Sequence, residues 1–79
     1  MTLNLTVPIG STADVKLPLV SFPTTVYHND CQYPCIELNN LESFELNSCG
    51  NIYRCFQRAN DEEYFLTTVV ESGDHMFSY

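Results

Sequence analysis

The chain is poor in basic residues. Only three of its 79 residues are Lys or Arg, against ten Asp and Glu, which gives a formal net charge of −7. Three bases cannot neutralise a run of phosphates and ten acids repel them, so the composition argues against direct binding to DNA or RNA. An anionic membrane surface is disfavoured for the same reason, since the sequence contains no basic amphipathic stretch.

Glycine and long apolar runs are also scarce. The three glycines, at positions 10, 50 and 73, form no G-x-G or Walker pattern. We therefore expect no phosphate-binding loop, no cofactor and no small-molecule substrate. Residues 1–6 contain neither a basic leader nor a long apolar segment. This pattern predicts no signal peptide and no transmembrane helix, and makes a cytoplasmic location the default expectation.

The sequence has no catalytic signature. His28 and His75 precede or follow an aspartate closely, but their spacing to the cysteines supports no Cys–His nucleophilic pair. A domain of this size also supplies few residues to hold a catalytic group in place. We therefore expect a protein that is not an enzyme, with both histidines on its surface.

The chain contains four cysteines, Cys31, Cys35, Cys49 and Cys55. The first two are spaced C-x3-C and the last two C-x5-C. Neither spacing is the C-x2-C of most zinc sites, and a disulfide framework is disfavoured without a secretion signal. The expected state is reduced thiols that serve as small buried apolar groups, with no metal site. Disulfide bridges and a zinc site remain the alternatives.

Apolar residues make up 44% of the chain and ten residues are aromatic, which is enough for one modest core in a single domain, residues 1–79. Polar and apolar residues alternate over residues 3–7 and 15–19, as in half-buried strands. Pro18 cannot donate to a ladder, so the second strand should lie at a sheet edge or carry a bulge. Residues 22–27 are expected to extend the sheet, and residues 28–34 to form an irregular loop.

The second half of the chain is predicted to end in a meander. Residues 38–48 fit a short helix or turn near Asn40 followed by a strand. Residues 52–57, 63–70 and 75–79 are rich in β-favouring residues and are separated by turn signals. The predicted fold class is mainly β, with α+β as an option: a small antiparallel sheet with a C-terminal three-stranded meander and at most one short helix.

The acids are concentrated in one part of the chain. Residues 1–29 are neutral, since Asp14 is balanced by Lys16, and residues 30–79 hold nine acids and two bases. Residues two apart on one face of a strand lie about 6.6 Å from each other, which is comparable to phosphate spacing. Carboxylates on strands and turns could therefore imitate a phosphate track, the alternative being a solvated surface that keeps the domain soluble. Arg54 and Arg58 would then act as internal counter-ions. The predicted partner-binding residues are Glu37, Glu42, Glu45, Asp61, Glu62, Glu63, Glu71 and Asp74.

A short, strongly acidic chain with a neutral β-rich start and the cluster Asp61-Glu62-Glu63 resembles the small phage-encoded anti-CRISPR proteins. The resemblance is one of size and charge over the whole chain. It implies an inhibitor in the cytoplasm of a bacterial host cell whose partner is a basic nucleic-acid-binding complex, a Cas effector. Acting as a double-stranded DNA mimic, the acidic face would occupy a Lys/Arg-lined channel and block target DNA.

Two other functions remain open from the sequence. One is a small secreted binding or effector module in which the four cysteines form two bridges. The other is an inhibitor that binds a protein through apolar or aromatic surface around Tyr64, Phe65 and Phe77. The number of free thiols separates the first of these from a cytoplasmic inhibitor.

Overall fold

The computed structural model of the protein describes residues 1–38, 44–58 and 63–79. Within them the chain forms strands and no helix, so the predicted mainly-β class is confirmed. That part of the chain has no helical segment that could span a lipid bilayer. The strands are β1 Thr2–Val7, β2 Ala13–Leu19, β3 Thr24–His28, β4 Cys31–Cys35, β5 Glu45–Leu46, β6 Ile52–Gln57, β7 Tyr64–Val70 and β8 Gly73–Ser78.

The strands form two four-stranded antiparallel sheets that share one core. The first sheet has the order β1-β8-β3-β4 and the second the order β2-β7-β6-β5. Alternate residues of each strand point toward the other sheet, which buries one face of both. The shared core contains Val7, Val26, Tyr33, Cys35 and Phe77 from the first sheet and Val15, Leu17, Leu19, Tyr53, Cys55, Leu66 and Val70 from the second.

The strands predicted in the first third of the chain are confirmed. In β2, Val15 and Leu17 are buried while Lys16 between them is exposed. This strand forms an edge of the second sheet, as the proline predicts, because Pro18 has no N–H for a further neighbour. The strand expected after Pro23 is β3.

The irregular loop predicted over residues 28–34 is wrong. β3 continues to His28, Asn29 and Asp30 make a tight turn, and β4 follows directly. Asn29 has a φ of 52°, a left-handed conformation that asparagine tolerates better than most residues. The alternation that marks β4 was visible in the sequence, but two of its inward positions are cysteines, which do not identify a strand by themselves.

The C-terminal three-stranded meander is also wrong in its last strand. β6 and β7 pair as predicted, but β8 crosses to the first sheet, where it pairs with β1 and β3. A single sheet would leave its apolar face uncovered, whereas the crossing buries Phe77 completely between the two sheets. The helix or turn predicted near Asn40 lies outside the described residues, and the strand predicted after it is β5.

The expectation of reduced thiols is wrong, because the four cysteines form two disulfides. Cys35 of β4 is bonded to Cys55 of β6 with a Cα–Cα distance of 5.8 Å, which joins the two sheets through the core. Cys31 is bonded to Cys49 with a Cα–Cα distance of 6.1 Å, which fastens β4 to the segment before β6. Cys31, Cys35 and Cys55 lie on strands and Cys49 lies in the turn before β6. The fold brings these positions together, which their sequence spacing does not predict.

Candidate functional site

Among the described residues, the acids predicted to bind a partner do not all lie on one surface. Glu42, Asp61 and Glu62 lie outside the described part of the chain. Glu63 precedes β7 and Glu71 follows it, so about 26 Å of extended chain separates them.

Each remaining acid has its own surroundings. The Glu63 carboxylate lies 3.7 Å from the Arg58 guanidinium, so Arg58 is a counter-ion as predicted. Both side chains are more than half exposed, and the pair therefore adds little to stability. The Asp74 carboxylate accepts a hydrogen bond from the Thr6 hydroxyl at 2.9 Å. Glu37 and Glu45 line a groove of about 450 Å³ beside β4 and β5.

A different surface stands out on the outer face of the second sheet. Four apolar side chains are more than half exposed there or at its edge: Phe44 62%, Leu46 68%, Ile52 58% and Val69 57%. Leu46 and Ile52 are direct cross-strand partners. Because these four apolar side chains lie together in one region, the surface is a candidate interaction site.

The same face carries two of the three basic side chains. Lys16 Nζ lies 4.5 Å from the ring centroid of Phe65, and Arg54 Cζ lies 4.2 Å from that of Phe44. Strand register places Lys16 and Arg54 in one row, on either side of Thr67. Each cation is thus held against a ring, an interaction worth about 0.5–1 kcal/mol at an exposed site. We call this surface the apolar-cationic face, made of Lys16, Phe44, Leu46, Ile52, Arg54 and Val69.

A groove of about 910 Å³ connects this face with the end of the sandwich. Lys16, Phe44, Ile52 and Val69 line one part of it, and the other part reaches two histidines and Glu71. The protein therefore offers a continuous concave surface, apolar and cationic on one side and imidazole-containing at its end.

The two histidines belong to a hydrogen-bond chain that runs from the core to the surface. His28 Nδ1 lies 2.9 Å from the Tyr33 hydroxyl, and His28 Nε2 lies 2.8 Å from His75 Nδ1. His75 Nε2 lies 2.7 Å from the backbone carbonyl oxygen of Glu71. His28 is only 7% exposed, so the prediction of two surface histidines is wrong for this residue.

The direction of this chain follows from its last member. A carbonyl oxygen only accepts, so His75 Nε2 carries a proton and, with neutral rings, His75 Nδ1 accepts from His28 Nε2–H. His28 Nδ1 is then the acceptor for the Tyr33 hydroxyl. If each ring carried two protons, the nitrogens that face each other, His28 Nε2 and His75 Nδ1, would both be donors and could not bond.

Electrostatics favours the neutral form of the buried groups. Burial, and secondarily the charge of His75, lowers the pKa of His28. Burial raises the pKa of Tyr33, and a side-chain hydrogen bond between Tyr33 and Thr68 acts in the opposite direction. The alternation of Val26 and His28 on one face of β3 was the sequence signal for this site, and it was missed because the strand was predicted to end before His28.

The chemistry available at this site is hydrogen bonding and proton exchange. All four cysteines are bridged. Across the described ranges, no three His, Cys, Asp or Glu side chains are grouped so that they could hold a metal ion. No known protein family, curated protein or solved structure matches this chain. Its function is therefore inferred from its own residues.

Proposed function

We propose that the chain is a small disulfide-bridged binding module that docks a protein partner on its apolar-cationic face. The observation that carries the proposal is the exposure of four large apolar side chains around two cations on one sheet. Interfaces are enriched in aromatic residues and arginine at their centre, and Phe44 with Arg54 supplies that combination.

The disulfides support this proposal in two ways. The Cys35–Cys55 bridge fixes β6, the strand that carries Ile52 and Arg54, to the opposite sheet. A face fixed in this way loses little conformational entropy when it binds. Disulfides also persist mainly in oxidising compartments, so we propose that the module works outside the reducing cytosol.

A second candidate function is the inhibition of a Cas effector complex by an acidic double-stranded DNA mimic. The observation that favours it is a gathering of acids at one end of the sandwich. Asn29 donates from its backbone N–H to Met76 and from its side chain to the Asp74 carbonyl, at 2.9 and 3.4 Å. The β3–β4 turn with Asp30 therefore lies against Asp74, close to Glu71. A basic channel could accept this end, and its association would weaken with salt.

One capture experiment tests both candidates. The immobilised protein is incubated with extracellular fluid and, separately, with purified Cas effector complexes at low salt, with and without excess duplex DNA. We expect to capture a partner whose affinity for the Ile52→Glu variant is about 30-fold lower, since this change places a charge in the centre of the apolar-cationic face. Met76→Glu is the matched control, because Met76 is 49% exposed on the first sheet.

The outcomes separate the two functions. A partner lost with Ile52→Glu and kept with Met76→Glu supports docking on the apolar-cationic face. Recovery of a Cas complex that duplex DNA displaces, and that Glu71→Lys with Asp74→Lys abolishes, supports the DNA mimic instead. Equal recovery with all variants contradicts both proposals.

A further inference from the structure

Among the described residues the two sheets have four edge strands, β1, β4, β2 and β5, and three of these are blocked. An edge strand exposes unpaired N–H and C=O groups that can pair with another chain unless something prevents it. On β2, Pro18 prevents such pairing, and β5 is too short for it, with only two residues. On β4, the Asn47 side-chain amide donates to the Gln32 carbonyl at 3.1 Å, and the Cys31–Cys49 disulfide holds the same segment there.

The edge that remains open is β1. It is six residues long, contains no charge, proline or glycine, and pairs with β8 alone within the described ranges. Leu3 and Leu5 on its inner side are only half-buried, although they pack against the core. β1 carries no charged side chain, and the acid beside it on β8, Asp74, accepts a hydrogen bond from the Thr6 hydroxyl. A second copy can therefore approach this edge without placing two acids directly opposite each other.

The backbone groups on the free side of β1 can be identified. The Met1 amino group donates to the Tyr79 carbonyl at 2.6 Å, and the Tyr79 N–H donates to the Met1 carbonyl at 2.9 Å. These two residues therefore form a hydrogen-bonded pair, and alternation makes Leu3 and Leu5 the next residues bonded to β8. The residues whose N–H and C=O groups point to the free side are then Thr2, Asn4 and Thr6.

The sequence of this edge is a palindrome, Thr2-Leu3-Asn4-Leu5-Thr6. We propose that β1 pairs antiparallel with β1 of a second copy about a two-fold axis that passes beside Asn4. Like side chains then meet across the axis: Thr2 faces Thr6, Leu3 faces Leu5 and Asn4 faces its own copy. Such self-complementarity is what a two-fold interface requires.

This register satisfies every backbone group on the free side. Each of the three outward-pointing residues is in a hydrogen-bonded pair, so the two chains exchange six backbone hydrogen bonds. The first sheets of the two copies become one sheet of eight strands. Apolar and threonine cross-strand pairs add stability, and the half-buried leucines lose their remaining contact with water.

The register also keeps like charges apart. Asp74 is the cross-strand partner of Thr6, and Ser78 is the partner of Thr2. Across the axis Thr6 faces Thr2, so the row that contains Asp74 continues to Ser78 of the second copy. A shift of the register by one residue would break the hydrogen-bond match and place leucine opposite threonine.

The oligomeric state of the purified protein tests the proposal. We expect analytical ultracentrifugation to give twice the chain mass of 9.0 kDa, with dissociation on dilution. Asn4→Lys places two like charges opposite each other on the axis and should weaken the dimer about 5-fold. The matched control is Gln32→Lys, an exposed position on the blocked edge β4, which should leave the dimer intact. Far-UV circular dichroism checks that both variants fold.

Amide hydrogen exchange tests the register independently. At concentrations that favour the dimer, the amides of Thr2, Asn4 and Thr6 should gain protection, while those of Leu3 and Leu5 should be protected at every concentration. A wild-type protein that stays at 9.0 kDa at the highest attainable concentration overturns the proposal. So does an Asn4→Lys variant that dimerises as well as the wild type, or pairing of β1 with a strand of an unrelated chain in preference to its own copy.

Discussion

At the scale of single residues, the buried imidazole of His28 is a group whose protonation affects the stability of the fold. It stacks on Phe77, with ring centroids 4.3 Å apart, while both its nitrogens are hydrogen-bonded. No buried side-chain nitrogen or oxygen in the described residues is without a partner. A network that is fully paired in one protonation state is disturbed by each added proton, which links the fold to pH.

The protein should therefore lose stability in mild acid. Since the pKa of His28 is lowered in the fold, the unfolded chain binds a proton more readily, and the free energy of unfolding falls as the pH drops from about 6.5 through the folded pKa. In His28→Phe this pH dependence should flatten, with a general loss of about 1–3 kcal/mol because the Tyr33 hydroxyl is left without its acceptor.

Urea unfolding at a series of pH values between 5 and 7.5 makes this measurement. His75→Gln is the control, and it should keep most of the pH dependence, because burial is the larger cause of the shift at His28. A His28→Phe variant with the slope of the wild type would show that other groups dominate acid sensitivity.

At the scale of elements, the β3–β4 turn illustrates how a local feature is fixed by a distant strand. The Asn29 side chain accepts from the Met76 N–H at 3.0 Å and donates to the Asp74 carbonyl at 3.4 Å. A residue that tolerates the left-handed conformation thus also pins the hairpin to β8. The hairpin in turn places His28 opposite Phe77 and within hydrogen-bond distance of His75.

Replacing Asn29 should separate the contribution of its backbone conformation from that of its side-chain hydrogen bonds. Asn29→Ala loses the side-chain hydrogen bonds and strains the backbone, at a cost of about 2–3 kcal/mol in the free energy of unfolding. Asn29→Gly keeps the backbone conformation and should cost about 1 kcal/mol less than Asn29→Ala. Equal losses in the two variants would show that the side-chain bonds alone hold the turn. Equilibrium unfolding in urea measures both.

At the scale of the whole molecule, the two disulfides have similar effects on chain entropy but different surroundings. Their sequence separations are 18 and 20 residues, so each restricts the unfolded chain by roughly 3 kcal/mol. Cys35 and Cys55 are fully buried between the sheets, however, whereas Cys49 is exposed. The inner bridge is therefore also part of the core.

Removing each bridge should reveal this difference. A double change of Cys31 and Cys49 to Ala is expected to cost about 3 kcal/mol, the entropic value. The same change at Cys35 and Cys55 should cost about 1 kcal/mol more, since it also removes two buried sulfurs and leaves space between the sheets. Calorimetry of the two variants checks this order, and a larger loss from the outer bridge would contradict it.

The sequence by itself determined the properties that depend on composition and on neighbours along the chain. Net charge, the strands β1, β2, β3, β6 and β7, and the edge position that Pro18 imposes on β2 all follow from local rules. Alternation with a period of two decides which face of a strand is buried, because successive side chains point to opposite sides. The palindrome of β1 is a property of the sequence as well, but it points to pairing between two copies only once β1 is known to be an open edge.

The tertiary structure decided which strands become neighbours. Alternation does not say whether β8 continues beside β7 or crosses to β1 and β3, since both arrangements bury the same face of that strand. Burial of Phe77 between two sheets decided it, and this is a gain shared by residues far apart in the chain. The pairing of the four cysteines, the meeting of His28 with His75 and the exposed apolar-cationic face all depend on that long-range choice, and for this reason local patterns could not predict them.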